Sequence, residues 1–322
     1  MTTHVNQDLQ GKVITVLGGS GFLGTHLAQE LLASGARLRV ASRNPERAFR
    51  LKPLGNLGQV AFVRCDVTRP ETVTRVIAGS DAVVNLVGVF EGDLDAVQGD
   101  GAGLIAAAAR DAGVSAFVHV SAIGADASSP IAYARTKAEG EEAVRAAFPK
   151  ATVIRPSLVF GPDDNFINRF AGLIEGLPVL PVFGPEAPLQ PVFVDDVASA
   201  ICAVLTDQAK SGGKTYELAG PEVITMLDLN ERIAKAQGRE RSFIPLPDAV
   251  SAAFATVTGW LPGAPISRDQ FELLKAGSVA SGKRPGFKAL GISPKPLGLF
   301  LDRWMVRYRK HGRFGAEAAI KP

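Results

Sequence analysis

The sequence predicts an α/β fold, a doubly wound parallel sheet with a smaller C-terminal region, on three observations. Short β-branched apolar runs alternate with helical segments through the first half of the chain. A cluster of glycines sits at the first strand–helix junction. After Pro156 the alternation stops, and prolines and glycines become dense from Gly161 to Pro191.

The candidate strands are Val13–Leu17, Leu38–Ser42, Val60–Arg64, Ala82–Leu86, Ala116–Val120 and Thr152–Arg155. Their apolar residues run on with little polar alternation, as strands covered by helices on both faces require. Helices are expected at Phe22–Ala33, Glu71–Ile77, Leu104–Ala112 and Ala134–Ala147, the second announced by Thr68 and Pro70 at its entrance. Together these elements make a core over residues 1–158. Residues 159–295 read as a mixed α/β substrate-side region, from which Pro191–Val194 and Thr215–Leu218 are expected to return to the sheet. Residues 296–322 carry one more helix, Leu297–Arg309, and a tail. There is no internal repeat and no low-complexity tract.

The formal net charge of +3 is too small to imply a nucleic-acid partner. Cys65 and Cys202 make neither a metal spacing nor a disulfide framework, so buried reduced thiols are expected and no metal site is assigned. Met1–Gln10 is polar, without the apolar segment of a secretory signal. No stretch reaches the ~18 uninterrupted apolar residues of a membrane span.

Gly18, Gly21 and Gly24 in Gly18-Gly19-Ser20-Gly21-Phe22-Leu23-Gly24 follow a strand and open a helix. This is a variant of the dinucleotide fingerprint: a tight turn, close approach of backbone to a pyrophosphate, and anion binding by N–H groups at a helix start. A glycine-rich loop alone is usually only a turn; here the first βα junction supplies the context of a Rossmann domain. The next strand ends Val40-Ala41-Ser42-Arg43-Asn44, without the acid that binds a ribose 2′-hydroxyl. Arg43 and Ser42 suit a 2′-phosphate instead, with Arg47 one helical turn on, which favours NADPH over NADH. The bland alternative makes Arg43 a solvated loop charge. Asp66 and Val67 end the third strand, where a short acid can reach the adenine amine, although Asp66 serves equally as a helix-entry residue. Asn85-Leu86-Val87-Gly88 ends the fourth strand, where Leu86, Val87 and Gly88 present backbone to the cofactor.

Tyr133 and Lys137 lie four residues apart, on one helix face, and Ser121 ends the fifth strand at the edge where such sheets bind ligands. In that set Tyr133 is the candidate general acid/base, Lys137 lowers its pKa and holds the nicotinamide ribose, and Ser121 orients a carbonyl. Taken singly, a tyrosine and a lysine so spaced are more often an exposed helix face.

These residues, with Arg155-Pro156-Ser157-Leu158-Val159-Phe160-Gly161-Pro162 and Val192-Phe193-Val194-Asp195-Asp196-Val197, resemble the extended or atypical short-chain dehydrogenase/reductases. The resemblance implies that Pro156 passes near the nicotinamide. One of Asp195 and Asp196 is expected only to cap the helix at Val197. His119–Asp126, Asp163–Phe170, Ile266–Gln270, Ala289–Ile292 and Trp304–Arg309 narrow it: they resemble the nucleotide-binding accessory subunits of respiratory complex I, in a bacterial member. That resemblance implies a structural subunit holding NADPH near the quinone site, with the other complex I subunits as partners. It places the chain peripherally on the cytoplasmic face of the inner membrane. The Ser121–Tyr133 separation is short for an extended epimerase. Yet the intact Ser121, Tyr133 and Lys137 keep a free-standing NADP-dependent reductase or sugar-nucleotide epimerase open, as well as a ubiquinone-handling binding protein.

The C-terminal segment sets an apolar stripe of Leu297, Phe300, Leu301, Trp304, Met305 and Tyr308 beside Arg303, Arg307, Arg309, Lys310 and Arg313. Two readings stay open: a helix packed on its own domain, its cations favourable at a helix end, or a surface helix meeting anionic lipid or a partner subunit.

Overall fold

The computed structural model describes residues 9–252, 268–310 and 312; Ile266, Ser267 and Arg313 therefore lie outside the described residues. In chain order the elements begin with β1 Val13–Leu17, α1 Phe22–Ala33, β2 Arg37–Ser42, β3 Val60–Arg64, α2 Pro70–Ile77, β4 Ala82–Asn85 and α3 Gly101–Asp111. There follow β5 Ala116–Val120, α4 Ala132–Ala147, β6 Thr152–Pro156, β7 Val159–Phe160, α5 Phe166–Gly176, β8 Val179–Val182, β9 Pro188–Leu189 and β10 Val192–Phe193. The last are α6 Val194–Thr206, α7 Gln208–Ser211, β11 Thr215–Leu218, β12 Ile224–Thr225, α8 Met226–Ala236, β13 Ser242–Pro245, α9 Arg268–Ala276 and α10 Gly298–Trp304.

The chain divides into two compact units, the first made of residues 1–156, 194–218 and 281–293. Its seven-stranded sheet has the order β11-β6-β5-β4-β1-β2-β3, and every pairing is parallel. The chain reverses its direction of growth between β1 and β4, so a crevice opens beyond their C-terminal ends. Helices α1 and α6 pack together, as do α2, α3 and α4, and the core beneath the second group joins Leu17, Val83 and Phe117 to Ile105, Ala109 and Val144. Strand residues with odd numbers in β1, β4 and β5 thus point toward α3 and α4, and Asn85, His119 and Ser121 share that parity.

α3 begins earlier than the expected Leu104, because a π-helical turn, Asp95–Asp100, runs straight into Gly101. Gly99 and Gly101 read locally as helix breakers. What retains them in a helix is packing: a Cβ on Gly140 of α4 would run into the Gln98 carbonyl, and one on Gly103 would lie 2.9 Å from Ala143 Cβ. Thr215–Leu218 joins the sheet as its outer strand beside β6. Val192–Phe193 does not; it pairs with Val159–Phe160, its Val192 N–H donating to Leu158 O, and α6 starts at once at Val194.

The second unit comprises residues 157–193, 219–280 and 294–322. It is built from two-stranded ladders (β7–β10, β9–β12, β8–β13) with α5 packed on α8. The Asp163–Phe170 run is structural here. Buried Asp164 accepts from the Ile167 N–H (2.6 Å) at the start of α5, and Asn168 receives Arg307 and the Tyr308 hydroxyl. The expected helix over 297–309 is α10 followed by a 3₁₀ turn, Met305–Tyr308. Arg239 draws the Tyr308 carbonyl to itself (3.0 Å), which suits a tightened last turn. Leu297, Leu301 and Met305 are buried in this unit, while Phe300 stacks on Trp304 (5.0 Å) and on Phe193 (4.1 Å), with Trp304 tilted against Phe193. The apolar stripe is therefore used within its own unit.

Candidate functional site

The glycine loop has the geometry its composition requires. Gly18 has φ +76°, and a Cβ there would lie 3.1 Å from Leu86 C and 3.2 Å from Val87 N, so the loop runs against the end of β4. A Cβ on Gly24 would lie 2.6 Å from Gly19 Cα, so only glycine lets α1 start this close to the turn. Gly21 caps α1 with no side chain over the first-turn N–H groups of Phe22, Leu23 and Gly24, and no acid occupies that turn. Ser20 lies at the apex of the loop. The positive end of α1 is thus available to an anion.

Beyond the ends of β2 and β3 lies a cavity of about 420 Å³ lined by Arg43, Arg64, Cys65, Asp66, Arg69, Thr72 and Arg75. Four guanidinium groups and one carboxylate make it strongly electropositive. Asp66 accepts from the N–H (3.1 Å) and hydroxyl (2.8 Å) of Thr68, and these bonds hold its carboxyl below the usual range. It therefore does serve as a helix-entry residue for α2. Val67 is buried in the core rather than lining the cavity. The Ser42 hydroxyl is buried without a partner.

At the ends of β4 and β5 a polar cluster fills the α3–α4 side of the sheet. Asn85 accepts from Val87 N–H through Oδ1 (3.0 Å), so its Nδ2 faces His119 Nδ1 (3.1 Å). Nδ1 must then be the acceptor, and the His119 proton sits on Nε2, which is buried with no partner. Burial, with the Lys137 and Arg145 cations nearby, pushes the His119 pKa down to about 3. Lys137 donates to the carbonyls of Val87 (3.3 Å) and Val120 (3.2 Å). Its Nζ lies 3.0 Å from where a Gly88 Cβ would be, so a side chain there would press on the ammonium. Burial lowers the Lys137 pKa to about 8.

Tyr133 lies on the first turn of α4 and stacks on Phe90 at 4.5 Å and 11°. Burial pushes its phenol up to about 12. The Lys137 ammonium is 6.0 Å from its ring centre and engaged with carbonyls, so it does not acidify the phenol in this arrangement. The Ser121 hydroxyl is buried without a partner, and no hydrogen bond joins Ser121, Tyr133 and Lys137 to one another. Pro156 ends β6, its carbonyl accepting from Ile123 N–H (3.0 Å). Asp195 does not cap its helix: it binds His26 Nδ1 at 2.6 Å and so ties α6 to α1.

The fold thus brings Gly18 to Leu86 and Val87, Arg43 to Asp66, and Lys137 to Gly88 and the strand end before Ser121. Sequence reasoning gave no role of their own to His119, Gln98, Thr136 and Phe90. Gln98 donates to Thr136 (2.9 Å) and receives Val89 N–H (3.2 Å), linking the loop after β4 to α4. Nothing local marks that pairing across 38 residues. The cradle without a cap and the orphaned Ser42 and Ser121 hydroxyls fit a dinucleotide. No group of His, Cys, Asp and Glu able to hold a metal occurs among the described residues.

A family model described as the NAD dependent epimerase/dehydratase family matches residues 14–219, a span that includes the glycine loop, Ser121, Tyr133 and Lys137. The chain belongs to that family. Within the epimerase/dehydratase family its relatives include NADH dehydrogenase (ubiquinone) 1 alpha subcomplex subunit 9, mitochondrial, of Arabidopsis thaliana. The two are 33% identical, over 99% of this chain and 84% of the relative. The Rattus norvegicus protein of the same name is 32% identical, over 96% and 84%. A ceramide reductase of Caulobacter vibrioides is 30% identical over 77% of this chain and 78% of its own. Among solved epimerase and reductase folds, Citrobacter sp. triphenylmethane reductase complexed with NADP(H) superposes with a TM-score of 0.73 at 20% identity, covering 91% of this chain and 99% of that one.

Proposed function

We propose that this protein is an NADP(H)-binding accessory subunit of respiratory complex I, with a mainly structural role near the quinone site. The observation that carries the reading is similarity along nearly the whole chain, the second unit included, to mitochondrial proteins named as NADH dehydrogenase subunits. Its partners are the other complex I subunits, and its place is peripheral, on the cytoplasmic face of a bacterial inner membrane. No described helix is long and apolar enough to cross a membrane.

In this reading Gly18, Ser20, Gly21, Phe22, Leu23 and Gly24 hold the pyrophosphate, and Ser42 and Arg43 the 2′-phosphate. Asp66 and the backbone of Val67 flank the adenine, Leu86, Val87 and Gly88 supply backbone along the crevice, and Ser121, Tyr133, Lys137 and Pro156 border the nicotinamide end. Bound NADP(H) would supply the capacity for hydride transfer. A phenol raised to about 12 is a weak proton donor at neutral pH, and an ammonium held by two carbonyls serves retention better than acidification. Both favour holding over turnover.

The test is a pull-down of the tagged full chain from gently solubilised native membranes, with released nucleotide identified. Complex I subunits recovered with stoichiometric NADPH support the reading; a lone protein, or a complex purified without this chain, refutes it. Arg43→Ala should weaken NADPH at least tenfold more than NADH, the loss of about one charge-assisted contact; equal weakening removes the 2′-phosphate assignment.

A second reading, a free-standing NADP-dependent reductase, is favoured by the intact Ser121, Tyr133 and Lys137 and by the ceramide reductase relative. It requires NADPH oxidation by a carbonyl substrate that Tyr133→Phe abolishes while nucleotide binding persists.

A further inference from the structure

The chain's formal net charge is +3, and residues 44–75 alone contain six Lys/Arg against three Asp/Glu. That stretch therefore holds an excess equal to the excess of the entire chain. It includes β3, which closes the sheet beside β2 and has no second partner among the described residues. Arg47 and Lys52 are exposed and make no ion pair among the described residues, whereas Arg64 and Arg75 line the cavity beyond β2 and β3.

Large exposed apolar side chains lie close to Arg47 and Lys52 along the chain. Phe49 is 43% exposed, Leu54 50%, and Leu57 fully exposed. Leu57 is no frayed tip. Its turn closes by Gln59 N–H to Asn56 O (3.0 Å) and Asn56 N–H to Gln59 Oε1 (2.9 Å), with Gly58 at φ +75°. The Gln59 amide then donates to Leu32 O (3.1 Å) and Ala36 O (2.9 Å), which fastens the turn to the end of α1. The Lys52 ammonium lies 3.8 Å above the Phe49 ring, itself edge-on to Phe62 at 5.2 Å, so a cation and an exposed aromatic face are joined at this surface.

We propose that this face, with Phe49, Leu54 and Leu57 as apolar tips and Arg47 and Lys52 beside them, docks on an anionic phospholipid headgroup layer. Protruding aliphatic groups on an ordered turn match a soft acyl boundary, and unpaired cations match the phosphates above it. A nucleic acid would meet the cations but leave Leu54 and Leu57 in water. The C-terminal helix uses its own apolar stripe otherwise, with Leu297, Leu301 and Met305 buried.

The test is co-sedimentation of the full chain with vesicles of phosphatidylcholine, alone or with about 30 mol% phosphatidylglycerol. Binding is expected only to the anionic vesicles and should fall as salt rises. Lys52→Glu should weaken it roughly fivefold or more, the effect of one interfacial cation. Leu57→Asp should weaken it roughly tenfold or more, as one aliphatic side chain withdrawn from an apolar phase; Leu54→Asp is the second variant should the first fail to fold. The double variant Arg303→Glu/Lys310→Glu should bind as the parent does. No pelleting with anionic vesicles, parental binding by both Lys52→Glu and Leu57→Asp, or loss confined to the C-terminal double variant would overturn the proposal.

Discussion

His119 is a histidine that the fold keeps neutral, and the consequence can be worked as a number. In the unfolded chain its pKa is that of a free imidazole, 6.5; in the folded protein it is about 3. A folded-state pKa below the unfolded one means that the unfolded chain takes up the proton first as pH falls. The contribution is thus fully present above pH 6.5 and is lost progressively toward pH 3. Between pH 7.5 and pH 5 the loss comes to about 2 kcal/mol, since each unit of difference is about 1.4 kcal/mol. His119→Gln removes the titration while leaving a polar side chain beside Asn85. Urea unfolding of parent and variant at the two pH values measures the difference directly. The variant should lose about 2 kcal/mol less than the parent on acidification. Equal losses would mean that the imidazole finds a proton-stabilising partner in solution, and the assignment of the proton to an orphaned Nε2 would fall with it.

Lys137 gives a second pH signature, at the alkaline side. Its folded pKa of about 8 lies below the ordinary 10.5, so raising pH from 7 to 9.5 should stabilise the parent by about 2 kcal/mol as the burial penalty is relieved. Lys137→Met should lack that rise in the same unfolding experiment; a rise of equal size in both would assign it elsewhere. Gly24→Ala should lower stability by about 1–3 kcal/mol through overpacking against Gly19 and abolish dinucleotide binding. Thermal unfolding and NADPH fluorescence check the two effects, and an alanine that binds normally would show that α1 can recede from the turn.

The Rossmann half was legible because its signals are local. β-branched runs, a glycine turn and a proline at a helix entrance act on residues within one turn or one strand, so β1, β3, β5 and α1 are found where the pattern puts them. Packing overrode the local signal at Gly99 and Gly101. They sit in continuous helix because α4 approaches so closely that Gly140 has no room for a side chain. The two-residue ladder of Val159–Phe160 with Val192–Phe193 is too short to carry a periodicity.

The candidate site divides the same way. Chain order alone puts the residue types at the crevice: glycines where backbone must approach a phosphate, an arginine where a ribose acid is absent, and a serine, tyrosine and lysine in the right order. What those groups face was set by packing between distant segments. It turned Lys137 onto two carbonyls, left Ser42 and Ser121 without partners, laid Phe90 on Tyr133 and buried His119 behind Asn85. The physical reason is that a pKa or a hydrogen bond depends on what lies within a few ångströms. Residues 85 and 119, or 98 and 136, become neighbours only when parallel strands and their crossover helices bring distant segments together.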